Sequence, residues 1–270
     1  MAERNAAFVG SIPANYDRYL GPLFFHDYAD DLVARVETKP GLRVLETACG
    51  TGIVTERLAA RLAGQGMLVT TDLNEPMMVH AEQRLGAGAR LEWRQADATA
   101  LPFDDRSFDA VVCQFGLMFY PDKALGVREA FRVLRAGGRY VFNVWDSLLQ
   151  NPAPRIAHET VASFFPTDAP QFYSVPFSLA ETGTVSGWLR DAGFGDVDPV
   201  AVAKTGTSPS AAEAAIGLIE GNPIYAAIME RKPEALVDIK AAVARNVAAQ
   251  LGDRPVRAPL RAFVFTARKP

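Results

Sequence analysis

Between residues 41 and 146, short apolar runs alternate with stretches in which apolar positions recur every three or four residues. A short apolar run bounded by turn residues suits a strand buried on both faces, whereas the 3.6-residue period marks a helix with one buried side. Strands are therefore expected at 42–48, 67–71, 90–95, 108–113 and 139–145, the last after a Gly137-Gly138 turn. Helices are expected at 53–62, where Ile53, Val54, Leu58, Ala59 and Leu62 share one side, and at 76–85 and 123–135. This alternation predicts a doubly wound, mostly parallel α/β sheet, because right-handed crossovers place helices on both faces.

After residue 146 the rhythm changes. Residues 147–180 carry five prolines and four phenylalanines with little period, which reads as an irregular excursion with a short helix around His158. A helix over 179–192, stopped by Gly193, precedes a strand at 197–204. Helices near 210–220 and 233–251 separate that strand from a final one at 260–268. The chain is expected to form a single domain, 1–270, around a core at 41–146. Residues 1–40, 147–180 and 207–252 are the expected cap over the sheet edge where ligands bind.

Composition narrows the function classes. Hydrophobic residues make up 49% and charged residues 22%, ordinary for a globular chain, so wholesale disorder is not expected. A formal charge of −3 argues against a nucleic-acid binder, which needs a basic surface. Arg128, Arg132, Arg135 and Arg139 have nearly the spacing of one helix face and read as a solvated face. Two cysteines, Cys49 and Cys113, make no disulfide framework and suit a reducing compartment. Residues 1–13 show no signal pattern and no apolar run is long enough to span a bilayer, so a cytoplasmic protein without a membrane anchor is expected. Histidine, cysteine, aspartate and glutamate show no metal-ligand spacing, and no metal is expected.

The chemistry concentrates where the first strand meets its helix, at Val44-Leu45-Glu46-Thr47-Ala48-Cys49-Gly50-Thr51-Gly52. Gly50 and Gly52 permit close backbone approach to a ligand, and the helix start beyond them offers free N–H groups. By itself such a turn is weak evidence. Asp72 ends the second strand beside it and suits ribose hydroxyls, though an aspartate there also caps helices. Those two features alone fit a nicotinamide-dependent oxidoreductase as well. Three further features oppose that reading. Glu46 lies within the strand end and suits an ammonium group rather than a pyrophosphate. Gly50 to Thr55 reads G-x-G-x-x-T, without the third glycine of the dinucleotide fingerprint, and the chain has no Tyr-x-x-x-Lys spacing. Asp97-Ala98, after the third strand, places a carboxylate within reach of an adenine amino group. A ligand with a carboxylate, an ammonium, a ribose and an adenine is S-adenosylmethionine.

These residues resemble the class I methyltransferases of the ubiquinone/menaquinone-biosynthesis type. Residues 45–52 are similar to the family's first motif, Asp72-Leu73-Asn74-Glu75-Pro76-Met77-Met78 to its second, and Asp97-Ala98-Thr99-Ala100-Leu101-Pro102-Phe103 to its third. Ser107-Phe108-Asp109-Ala110-Val111 and Leu134-Arg135-Ala136-Gly137-Gly138 resemble its fourth and fifth strand regions. The resemblance spans residues 41–146 and implies a seven-stranded Rossmann-like sheet with an antiparallel last strand and a helical cap. It implies that Glu46, Ala48, Gly50 and Gly52 surround the methionine end of the cofactor and Asp72 its ribose. Leu73 and Met77 would flank the adenine, Asp97 and Ala98 its polar edge, and Gln114 the amino-acid portion. Tyr16-Asp17-Arg18-Tyr19-Leu20 resembles a segment that covers the cofactor, which adds Tyr16 and Tyr19. Ala48 departs from the pattern, standing where many members carry the first glycine.

Methyl transfer to a small acceptor asks a protein mainly to align reactants and exclude water. His26, in an aromatic stretch, and His158, in the excursion, are the candidate bases, because an imidazole titrates near neutrality. A structural role is open to each. Gln114-Phe115-Gly116-Leu117 replaces the Asn/Asp-Pro-Pro-Tyr/Phe segment of amino-type DNA methyltransferases. Phe164, Phe165, Phe172, Tyr173 and Phe177 fit either an apolar acceptor site or the core of the cap. A module that holds the cofactor without turnover is the other alternative.

Overall fold

The computed structural model of the chain describes Phe8 and residues 10–270. Its centre is a seven-stranded sheet in the order β3-β2-β1-β4-β5-β7-β6. β1 (Arg43–Thr47), β2 (Met67–Asp72), β3 (Leu91–Gln95), β4 (Phe108–Gln114) and β5 (Leu134–Trp145) pair in parallel. β7 (Val256–Arg268) is antiparallel to both β5 and β6 (Gly195–Ser208). This is the doubly wound sheet with an antiparallel last strand that the resemblance implied. Val44, Leu45, Val69, Val111, Val112, Val141 and Phe142 are wholly buried, which explains the unbroken apolar runs. Strand order reverses between β1 and β4, and the carboxyl ends there frame the crevice where such sheets bind ligands.

Helices cover both faces of the sheet. α3 (Ile53–Leu62) buries Ile53, Val54, Leu58 and Leu62, and α4 (Glu75–Leu85) follows β2. α5 (Lys123–Val133) starts at Asp122, whose carboxylate accepts the Leu125 N–H at 2.8 Å. The expected run to residue 135 stops at 133 because the backbone enters β5 at Leu134. Gly137 and Gly138 lie inside that strand rather than in a turn before it. The β4–β5 register shifts there, and a Cβ on Gly138 would sit 2.9 Å from the Arg135 carbonyl. The four arginines consequently do not share a helix face. Arg132 pairs with Glu129 and Asp105, Arg135 with Asp109, Arg139 with Glu37 and Arg128 with Asp122.

The remaining chain packs around this sheet, and parts of it, from Tyr16–Phe25 and residues 151–177, wall a cavity beside the ends of β4 and β5. It comprises α1 (Ile12–Asn15), a π-helical stretch (Tyr16–Phe25), α2 (His26–Ala34), α6 (Pro152–Ser163), α7 (Thr182–Asp191) and α8 (Ala211–Glu220). α9 (Ile224–Arg231) and α10 (Leu236–Leu251) complete it. α9 has no counterpart in the sequence reading, yet Ile224 and Ile228 form its buried face and the Asn222 side chain accepts the Ile224 N–H. The wide turns of Tyr16–Phe25 bury Leu20, Leu23, Phe24 and Phe25. This stretch lies so close to β6 that a Cβ on Gly206 would fall 1.7 Å from the Leu23 carbonyl oxygen. Gly206→Ala is therefore expected to destabilise the protein by about 1–3 kcal/mol or more, read as a lowered Tm.

Candidate active site

β1 runs into a turn whose backbone is left-handed at Ala48 (φ 54°), Gly50 (φ 55°) and Gly52 (φ 81°). The conformation explains why glycine is common where Ala48 stands, since a Cβ is disfavoured there. Gly116, after β4, packs so tightly on this turn that its own Cβ would lie 2.5 Å from that of Ala48. Asp72 ends β2 and holds the turn from beside it. Its Oδ2 accepts the Gly50 N–H at 2.8 Å and its Oδ1 the Asn74 N–H at 2.7 Å. Burial raises the Asp72 pKa, and the Asn74 and Gly50 N–H groups oppose that rise. The Asn74 side-chain amide also donates to Oδ1, at 3.5 Å, while Oδ2 keeps a lone pair for a ligand hydroxyl.

A cleft of about 730 Å³ opens over this turn. Tyr16, Ala48, Gly50, Asp72, Leu73, Met77, Asp97, Ala98 and Gln114 line it, together with Phe8, Asn74, Phe115, Gly116 and Phe119. Leu73 is 56% exposed, an unusual state for a leucine and one that suits a flat ring laid against it. Asp97 Oδ1 accepts from the Thr99 N–H (2.8 Å) and hydroxyl (2.7 Å), which fixes the carboxylate and leaves Oδ2 open. Gln114 Nε2 reaches the Phe25 carbonyl at 3.5 Å, while its buried Oε1 has no partner. A buried acceptor left idle at the cleft wall fits a ligand that brings a donor, such as an ammonium group.

Three residues expected around the cofactor, Glu46, Gly52 and Tyr19, are not among the residues that line the cleft. Glu46 is buried beside the glycine turn. The Thr55 and Thr70 hydroxyls donate to its Oε2 at 2.6 and 3.1 Å, and Thr70 is its register partner on β2. Burial pushes its pKa up to about 8. Gly52 serves packing instead: a Cβ there would press on Ala81 and Leu85 at 3.0 Å each. Tyr19 faces a separate surface groove with Arg18 and Pro22, because α8 packs against its backbone at Gly217.

A second cavity, of about 550 Å³, adjoins the cleft and shares Phe8, Tyr16, Phe115 and Phe119 with it. Leu20, Phe24, Phe25, Trp145, Phe172, Tyr173, Phe177 and Leu260 complete its apolar lining. Tyr16 stacks on Phe25 (4.7 Å between centroids) and Trp145 on Phe115 (3.8 Å, 4° between planes). Of the five aromatics in the excursion, Phe172, Tyr173 and Phe177 face the cavity, whereas Phe164 and Phe165 pack against the core. Three polar side chains of the lining, Asn151, Tyr173 and Asn222, are hydrogen-bonded within the protein. Asn151 bonds the backbone of Asp146, Ser147 and Arg261, and the Tyr173 hydroxyl donates to the Leu218 carbonyl at 2.6 Å. Asn222 Nδ2 donates to the same carbonyl at 2.9 Å.

Neither histidine reaches the two cavities. His26 opens α2 on the outer side, against Gly21 and within the field of Arg57. Burial first, and then that guanidinium, lower its pKa. His158 lies behind Tyr173, their ring centroids 6.5 Å apart, with its Nδ1 buried and unpartnered. The aromatic stretch around His26 and the excursion around His158 fix their place in the chain, but not the direction of either ring. Cys49 and Cys113 are buried thiols. Among the described residues, no group of three or more His, Cys, Asp or Glu side chains is arranged to hold a metal ion. No helix among them is long and apolar enough to cross a membrane.

Fold and cleft together define a doubly wound protein built to hold an adenosyl cofactor at its switch point. The methyltransferase-domain family profile matches residues 44–138. A ubiquinone/menaquinone biosynthesis C-methyltransferase from Xylella fastidiosa is 44% identical over 110 residues, which cover 40% of this chain and 44% of that enzyme. A demethylmenaquinone methyltransferase from Clavibacter sepedonicus is 34% identical over 172 residues, covering 58% of this chain and 67% of the relative. The chain belongs to the class I S-adenosylmethionine-dependent methyltransferases, of the ubiquinone/menaquinone-biosynthesis type. It spans less than half the length of the Xylella relative. The fold is also that of phosphoethanolamine N-methyltransferase 2 from Haemonchus contortus, solved with S-adenosyl-L-methionine (TM-score 0.60, 17% identity, 96% of this chain and 56% of that one). The nicotinamide-dependent reading finds no support among these relatives.

Proposed function

We propose that the chain transfers a methyl group from S-adenosylmethionine to a small apolar, aromatic acceptor held in the second cavity. The observation that carries this reading is the junction of a polar cleft, furnished with Asp72, Asp97 and Gln114, with an aromatic cavity through four shared side chains. The curated relatives are named for quinone biosynthesis, and a reduced quinone ring matches stacked aromatic walls such as Phe115–Trp145. Carbon of such a ring is the proposed acceptor atom.

Bound S-adenosylmethionine supplies a methyl carbon activated by a positively charged sulfur. The protein's part is positioning. Asp72 accepts the ribose hydroxyls, Leu73 and Met77 flank the adenine, and Asp97 accepts its amino group. Gln114 Oε1 accepts from the ammonium, and Ala48 and Gly50 let the backbone close on the methionine end. Residues 10–40, 147–180 and 207–252 act as the cap that keeps water from the acceptor, while residues 1–7 and 9 of the expected cap lie outside the described residues. Alignment of this kind contributes about 7–11 kcal/mol in favourable reactions.

Calorimetric titration tests the reading directly. S-adenosylmethionine and its demethylated product are expected to bind and NADH is not. Methyl transfer to short-chain demethylmenaquinol, followed by mass spectrometry, then tests the acceptor class. Binding of NADH alone would overturn the proposal, and cofactor binding without transfer to any apolar aromatic acceptor would favour the module without turnover.

A further inference from the structure

Phe115, the first residue after β4, is held at φ 49°, a left-handed conformation that side chains with a Cβ rarely adopt. Its N–H donates to Asn143 Oδ1 at 2.9 Å. Asn143 lies in β5, in register with Gln114, and is wholly buried. Its Nδ2 has no partner. The side chain thus makes one hydrogen bond in this fold, to the backbone of the strained residue. An apolar residue near the end of β5 would avoid burying an idle amide nitrogen, so the bond made by its oxygen is what accounts for asparagine there.

What that bond holds is the wall between the two cavities. The Phe115 ring lies flat on Trp145 at 3.8 Å and borders both the cofactor cleft and the aromatic cavity. Gln114, which lines the cleft and whose buried Oε1 has no partner, is the residue immediately before it. We infer that Asn143 is a positioning residue: by pinning the Phe115 N–H it sets the partition across which methyl donor and acceptor are aligned. The inference rests on the methyl-transfer reading above. A small displacement of this wall moves the acceptor relative to the methyl carbon. The adenosine end, held by Asp72, Leu73, Met77 and Asp97, is little affected.

Two substitutions separate the roles of the amide's two ends. Asn143→Leu removes the acceptor, whereas Asn143→Asp, whose carboxyl is kept neutral by burial when assayed at mildly acidic pH, keeps a carbonyl oxygen for the Phe115 N–H and replaces the unpartnered nitrogen with a hydroxyl. Three quantities would be compared with wild type: the Kd for S-adenosylmethionine, kcat with short-chain demethylmenaquinol, and the near-ultraviolet circular dichroism of the Trp145–Phe115 pair. For Asn143→Leu, kcat is expected to fall about 100-fold, the loss typical of a misplacement of roughly 1 Å. The Kd should move far less, and the aromatic signal should change. Asn143→Asp should recover most of kcat and the aromatic signal. Wild-type kcat in folded Asn143→Leu would overturn the inference, as would equal damage in both variants. If the leucine variant does not fold, Asn143→Ser, too short to reach the Phe115 N–H, makes the same comparison. A wild-type chain that does not bind S-adenosylmethionine overturns the methyl-transfer reading and this inference with it. One that binds the cofactor but leaves the quinol unmethylated overturns only the quinol assignment, and the aromatic signal then decides whether Asn143 pins Phe115.

Discussion

Asp72→Ala is expected to raise the Kd for S-adenosylmethionine by about 1000-fold, measured by calorimetry. A hydrogen bond to a charged acceptor is worth about 1.5–3 kcal/mol, and two ribose hydroxyls would each lose one. The substitution also frees the Gly50 and Asn74 N–H groups that the carboxylate now holds at 2.8 and 2.7 Å. A loss of about 1–3 kcal/mol in stability should therefore accompany the lost affinity. Asp72→Asn separates the two effects, because its single carbonyl oxygen still accepts from one side of the turn; its stability should fall less than its affinity. Unchanged affinity in Asp72→Ala would remove Asp72 from the ribose site.

Glu46→Gln is expected to stabilise the protein most above pH 8 and to flatten the pH dependence of its Tm. Glu46 is 2% exposed, and burial pushes its pKa up to about 8 against an ordinary value of 4.5. The folded state therefore keeps this proton over a range in which the unfolded chain has released it. Stability contributed by the neutral carboxyl is fully present below pH 4.5, declines as pH rises, and is lost above pH 8. The slope is at most about 1.4 kcal/mol per pH unit and the whole effect up to about 5 kcal/mol. Glutamine mimics the protonated acid, since one oxygen can still accept from the Thr55 and Thr70 hydroxyls. Thermal melts of both proteins from pH 5 to 9 check this. Parallel curves would show that Glu46 stays ionised in the folded protein.

The two acids show how far the site is legible in one dimension. Asp72 and Asp97 end or follow strands, where a doubly wound sheet places its ligand, so position along the chain is enough to single them out, whereas Gln114 rests on the family resemblance. Glu46 also sits near a strand end, but alternation within β1 turns its side chain toward Thr70 and Thr55. Gly52 carries the same glycine signal as Gly50, and only the approach of Ala81 and Leu85 shows that its lack of a Cβ serves helix packing. Phe8, Asn74 and Phe119 line the cleft without any signal of spacing. His26 and His158 are singled out by imidazole chemistry and by their place along the chain, and neither aims a ring.

Local pattern by itself determined the parallel α/β core of this protein. Strands buried on both faces must be apolar throughout, and helices that cover them must be apolar on one side, so β1 to β5 and most helices are written in short stretches of chain. The turn after β1 and the acids at the ends of β2 and β3 belong to the same local record. The acceptor cavity does not. Its walls come from Phe8 and Tyr16, from Phe115, from Trp145, from Phe172 to Phe177, and from Leu260, segments separated by up to most of the chain. Likewise, the bond from Phe115 to Asn143 spans 28 residues and exists only because β4 and β5 pair in one register. Hydrophobic periodicity records which side of an element is buried, but not against what. Which rings meet, which carboxyl is sealed beside the glycine turn and which amide pins the wall were decided when the strands took their register and the cap closed over them.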